Sequence, residues 1–188
     1  MIRLAVLGMV GTSTTDPDSA EPPRAHALPG AADAITRLRS AGIAVALMTD
    51  LPADVAEPML DSLRWNVSPE GFVDALITPE VASAIEEAAA PDDPVAAAAP
   101  EVAAAMAQTL VDDPHEVLVA GATVPEVRAG QAAGAGLLAG VLTGDETQDS
   151  EGEELRVAPG VHILDSIAEL PDLLSTAPEI APGHTPEA

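Results

Sequence analysis

The chain has no cysteine, no lysine and no tyrosine, and only one residue each of tryptophan and phenylalanine, Trp65 and Phe72. Without cysteine there is neither a disulfide framework nor a thiolate metal site, and no redox compartment can be read from the sequence. With two large rings in all, base stacking on aromatic platforms is excluded as a mode of recognition. Positive charge is equally scarce: seven arginines stand against 31 Asp and Glu, a net charge of −24 with a pI near 4.1. Such a surface repels phosphate backbones and anionic lipid, so neither nucleic acid nor membrane is an expected partner. Met1–Val10 is too short for a secretory signal, and no uninterrupted apolar run reaches membrane-spanning length. A cytoplasmic location is expected.

What is present is a chain of 188 residues, 47% hydrophobic, enough for one domain whose core must be built from Ala, Val, Leu and Ile. Apolar runs at 2–7, 43–48, 74–77, 116–120, 137–142 and 161–164 read as buried strands. Between them lie amphipathic helices. The first carries Ala31, Ala34, Ile35 and Leu38 on one face, with Asp33 and Arg37 spaced for an i,i+4 pair and Gly42 past the end. The second, about 52–63, has Val55, Met59 and Leu63 on one face, and Pro58 is expected to kink or restart it. A third is capped by Thr78-Pro79-Glu80, with Val81, Ile85 and Ala88 as its stripe. Residues 91–99 read as a low-complexity break, and Pro100 restarts a helix through Val102, Met106 and Leu110. A further helix ends near Gly134, and Asp165 or Ser166 caps a closing one with Ile167, Leu170 and Leu174 inward. Alternating strand and helix predict a mostly parallel sheet covered on both faces, a Rossmann-like three-layer α/β/α sandwich.

Four blocks, in this order and at strand ends, carry a family likeness: Leu7-Gly8-Met9-Val10-Gly11-Thr12; Pro29–Asp50; Gly121-Ala-Thr-Val-Pro-Glu126 with the glycine-rich 129–136 behind it; and Leu164–Pro171. In these the chain resembles the haloacid dehalogenase superfamily, in particular its phosphonatase-like hydrolases. The resemblance implies a haloacid dehalogenase-like core over residues 1–175, with 176–188 a flexible tail. The 11–28 loop would stand where relatives insert a cap domain, too short and too rich in proline for a helical pair.

The same resemblance marks what is missing. The first motif supplies an aspartate nucleophile in the family, and this chain has Gly8 there; the acid two residues on is Val10. The hydroxyls of Thr12 and Thr49 remain at phosphate-site positions. The basic residue of the third motif falls at or near Ala97, and the main metal-binding aspartate of the fourth falls on Ala122, with Glu126 as the more distal acid. Phosphonatases proper also use a Schiff-base lysine from the cap, and there is no lysine to supply it. Magnesium needs hard oxygen ligands, and the loss of both principal carboxylates implies that no metal or other cofactor is held. Removal of a nucleophile alone costs on the order of 10⁴–10⁶ in rate. No residue is therefore expected to be catalytic in the inherited sense.

Two classes of function follow. One is a catalytically silent domain that acts as a scaffold, regulator or subunit, with a protein partner or a second copy over the uncapped strand ends or an apolar helix face. The other is an enzyme, either a residual hydrolase of the family or one with repurposed metal-independent chemistry in the vacated pocket. There Asp16, His26, Asp50, Thr123 and Glu126 are the candidate ligand-contacting residues. The bland alternatives are a hydroxyl that satisfies strand-end backbone at Thr12 and Thr49, and solvated strand-end or helix-start acids at Asp50 and Glu126. His115, His162 and His184 show no metal-ligand spacing. The acidic run 145–154 reads as a solvated face.

Overall fold

The computed structural model describes residues 1–90, 92–142 and 150–176. In chain order the elements are β1 (Leu4–Gly8), α1 (Ala31–Ser40), β2 (Ala44–Met48), α2 (Ala53–Leu63), β3 (Ala75–Ile77), α3 (Pro79–Ala88), α4 (Pro94–Ala98), α5 (Pro100–Thr109), β4 (Val117–Gly121), α6 (Val124–Ala133), β5 (Leu137–Val141), α7 (Ser150–Val157), β6 (Val161–Leu164) and α8 (Leu170–Thr176). The strands form one parallel sheet in the order β3-β2-β1-β4-β5-β6. From β1 the chain first winds outward through β2 and β3, then returns to the other side through β4, β5 and β6. That reversal leaves a crevice at the carboxyl ends of β1 and β4, where sheets of this type bind ligands.

Strand alternation divides the core in two. Ala5 and Leu7 of β1 face Ile35 and Leu38 of α1, Met59 and Leu60 of α2, and Ile167 and Leu170. Leu4 and Val6 face Val102, Ala105 and Met106 of α5, Ala82 of α3 and Ala133 of α6. Both faces of the sheet are thus buried, which is why its strands read as continuous apolar runs. Trp65 and Phe72 stack on each other, ring centroids 4.8 Å apart, and help close the first of these cores. The register pairs Leu7 with Ala120, so Gly8 and Gly121 end neighbouring strands side by side.

Several local expectations are corrected. Pro58 does not restart α2, which runs through it; Val55, Met59 and Leu63 pack on the core as the stripe predicts, and Ala56 and Leu60 are buried beside them. One proline removes only one backbone bond, and the burial on either side holds the helix together. Arg37 reaches across to Asp172 on α8 instead of pairing with Asp33. The alanine-rich break contains α4, started by the Asp93 side chain, which accepts from the amides of Val95 and Ala96. On α3, Val81 and Ile85 pack against the core beside the buried Ala82, whereas Ala88 is exposed and leaves the stripe. Leu110 leaves the α5 stripe altogether: it is the C-cap, left-handed at φ 57°, and 79% exposed. Of the two residues expected to make the last cap, Ser166 does so, accepting from Ala168 N at the turn that leads into α8. Residues 145–149 of the acidic run and 177–188 of the expected tail lie outside the described residues. Among the described residues no helix is long and apolar enough to cross a membrane.

Candidate functional site

After Gly8 the chain curls back at once, and its own polar groups hold the curl. Met9 N donates to Met48 O at 2.8 Å, tying the turn to β2, while Ser13 N and Thr14 N both donate to Met9 O. Gly11 takes the left-handed conformation, φ 76°, that the reversal needs. Ser13 Oγ donates to Gly8 O at 2.9 Å and Thr14 Oγ1 to Met9 O at 3.1 Å. Thr12, Ser13 and Thr14 are all buried, and of the three only Thr12 has a side-chain oxygen with no hydrogen-bond partner.

The facing turn, from β4 into α6, is capped from within. Thr123 is the N-cap: its Oγ1 accepts from Glu126 N at 3.4 Å, and Glu126 Oε2 accepts from Thr123 N at 3.1 Å. The same Oε2 also accepts from Ala122 N at 2.9 Å. This reciprocal arrangement satisfies amides that the first turn of a helix leaves without intrahelical partners.

To make those bonds, the Glu126 side chain lies across the ends of β1 and β4, in space that exists because two residues there have no side chain. A Cβ placed on Gly8 would stand 2.3 Å from Glu126 Oε1 and 2.8 Å from Thr12 Oγ1. A Cβ on Gly121 would stand 2.5 Å from Glu126 Cβ and 2.6 Å from its Oε2. The glycine-floored notch and the carboxyl fit each other. Burial pushes the Glu126 carboxyl up to about 7, overcoming the hydrogen bonds from Thr123 and Ala122 that favour the charged form; the charge of Asp50 adds to the rise.

The other residues singled out in the sequence divide around this notch. Ala122 and Thr123 form its rim through their amides. Thr49 sits at the end of β2, where its N donates to Ile77 O and its Oγ1 accepts from Leu51 N at 3.1 Å, so its hydroxyl serves its own turn. Asp50 beside it is exposed. Asp16 and His26 are exposed on the segment that follows β1: Asp16 O accepts from Thr15 Oγ1, His26 O accepts from Thr15 N, and His26 N donates to Thr15 Oγ1. Ala97 is an exposed residue of α4.

The notch offers few of the hard oxygen ligands that magnesium takes. Gly8 and Ala122 offer no carboxylate, and one oxygen of Glu126 is already shared between two amides. Among the described residues no three His, Asp or Glu side chains come together as a metal-binding group. Sequence reasoning missed Gly121, whose bare backbone is half of the notch, and it treated Gly8 only as a loss. A signal was available: Thr123-Val-Pro-Glu126 has the T-x-x-E spacing of a capping box, which folds the glutamate back toward the strand end.

No family model matches the chain, and no curated protein does. Solved structures do. D,D-heptose 1,7-bisphosphate phosphatase from Burkholderia thailandensis matches with a TM-score of 0.60 at 22% identity, over 92% of this chain and 99% of that one. The enzyme of the same name from B. bronchiseptica, complexed with magnesium and phosphate, matches with a TM-score of 0.65 at 20% identity, over 93% and 98%. A Bacteroides fragilis protein described as a haloacid dehalogenase-like hydrolase matches at 0.62 and 14%, over 90% and 100%. At such identities the likeness shows the fold alone. The chain has the haloacid dehalogenase-like fold, a six-stranded parallel sheet between two helical layers.

Proposed function

We propose that this chain is a catalytically silent domain of the haloacid dehalogenase-like fold that acts by binding, with a protein partner or a second copy over the carboxyl ends of its strands. One observation carries the reading. Where the resemblance puts the nucleophile and the main metal ligand stand Gly8 and Ala122, and the remaining acid, Glu126, is folded inward onto the Ala122 and Thr123 amides. Groups that serve only chemistry are gone, while both halves of the core stay closely packed. The 9–30 segment, which forms no helix, leaves Asp50 at the strand ends exposed.

The test is hydrolysis of p-nitrophenyl phosphate with millimolar magnesium, alongside calorimetric titration of magnesium and sedimentation of the protein. Turnover at the buffer rate and no heat of magnesium binding are expected. Association that Asp50→Arg weakens is the expected signature of a partner surface at the strand ends. Magnesium-dependent turnover would return the chain to the hydrolases.

A second reading has an observation of its own. Glu126 is poised near neutrality, beside the charge of Asp50 and close to the unpartnered Thr12 hydroxyl, as a metal-free general acid–base site requires. Two cavities of pocket size lie away from it. One of about 440 Å³ is lined by Trp65, Leu76 and Thr78, and one of about 320 Å³ lies between α6 and α7.

A further inference from the structure

We propose that Glu126 is the resident occupant of the notch between β1 and β4, so that Gly8 and Glu126 form a mutually dependent pair that closes the crevice from inside. The inference deepens the silent reading and rests on it only for the notch's lack of chemistry. Three features converge on one volume. Gly8 and Gly121 floor it, and any Cβ there would overlap Glu126. The amides of Ala122 and Thr123, the donors an external oxyanion would need, are spent on Oε2. The fully buried Thr12 hydroxyl, which has no hydrogen-bond partner, lines the same volume on the Gly8 side. A small anion entering the crevice would have to displace a carboxyl that is covalently supplied, held at high effective concentration and fixed by its helix. A solvated cap glutamate, by contrast, would tolerate a methyl group at position 8.

The geometry separates the two glycines. At Gly8 the nearest atoms of Glu126 are its carboxyl end, Oε1 and Cδ, whereas at Gly121 the nearest is Cβ. Truncation to alanine removes both Glu126 contacts at Gly8, leaving the Thr12 hydroxyl at 2.8 Å, and at Gly121 it keeps the Cβ contact. Glu126→Ala should therefore relieve Gly8→Ala but not Gly121→Ala.

The experiment is a thermal unfolding series on the full chain: wild type, Gly8→Ala, Gly121→Ala, Glu126→Ala and the two doubles with Glu126→Ala. Gly8→Ala is expected to lower Tm by about 2–12 °C, the range for overpacking in a chain of this size. Glu126→Ala alone is expected to lower it by a few degrees, through loss of the cap. The Gly8→Ala, Glu126→Ala double should melt above Gly8→Ala alone, a reversal of sign that independent sites cannot give. The Gly121→Ala double should show no such recovery. Where Gly8→Ala yields no folded protein, a folded double is the same support and an unfolded one refutes the proposal.

Hydrogen exchange reads the pair without any substitution at glycine. The Ala122 and Thr123 amides should be protected in the wild type and in Glu126→Gln, and lose protection in Glu126→Ala. Equal exchange in all three, or additive Tm losses, overturns the resident carboxyl. Phosphoester turnover by the wild type would instead overturn the silent reading, whatever the Tm series shows.

Discussion

The two ends of the sheet solve different problems. At the carboxyl end, between β1 and β4, space is the limiting quantity: two glycines, a buried threonine and a folded-back glutamate occupy a volume with no room for another methyl group. At two positions of the amino end, space is free. Leu110 follows α5, and Met1 precedes β1; at 79% and 89% exposed, they project with little around them. A change at the glycine-floored notch must be answered by another residue, while a change at Leu110 or Met1 need not be. The absence of a side chain at Gly8 is thus part of how Glu126 is accommodated.

The contrast is sharpest at Gly121. A methyl group there meets Glu126 Cβ, which cannot rotate away, so Gly121→Ala is expected to cost about 3 kcal/mol in urea unfolding. Loss of less than about 0.5 kcal/mol would mean that the notch is loose. Next in size is the pH dependence. Glu126 holds its proton in the folded state up to about 7, against an ordinary value of 4.5, so between those values the folded chain binds more protons than the unfolded one. The stability from this group is therefore full below about pH 4.5 and is lost as pH rises through 7. The change is of order 3 kcal/mol, at about 1.4 kcal/mol per pH unit. Because general charge repulsion in so acidic a chain slopes the same way, the informative quantity is the difference from Glu126→Gln, which should lack this component.

Smaller effects follow. Thr12→Val replaces a buried hydroxyl that has no partner, and is expected to leave stability unchanged or raise it by up to about 1 kcal/mol. A loss of more than about 1 kcal/mol would reveal a bond to that hydroxyl in solution. At the amino end, Leu110→Gly should stabilise by about 0.5 kcal/mol, because a left-handed helix cap suits glycine and an exposed leucine loses little there.

Much of the frame was legible in the sequence, because buried parallel strands announce themselves as apolar runs and the helices between them by one-sided periodicity. Where the reading failed, tertiary packing had overridden a local rule. Pro58 is carried inside α2 by its buried neighbours, Leu110 is turned out by its left-handed cap, and Arg37 finds Asp172 across the fold. The site was legible only in part. The spacing places Thr123 and Glu126 on a helix start, but whether a cap glutamate faces water or a strand end depends on what the neighbouring strand presents. That Gly8 and Gly121 lie side by side follows from the β1–β4 register, which no local pattern encodes. Asp16 and His26 were natural candidates by chain position, and both are exposed.

The most direct measurement is a carbon-13 NMR titration of the Glu126 carboxyl in the intact protein, assigned by its disappearance in Glu126→Gln. A carboxyl seated in the notch should titrate with a midpoint near 7, and the Ala122 and Thr123 amide resonances should move with it. A midpoint near the ordinary 4.5, with those amides unmoved, would place Glu126 in water and leave the crevice open.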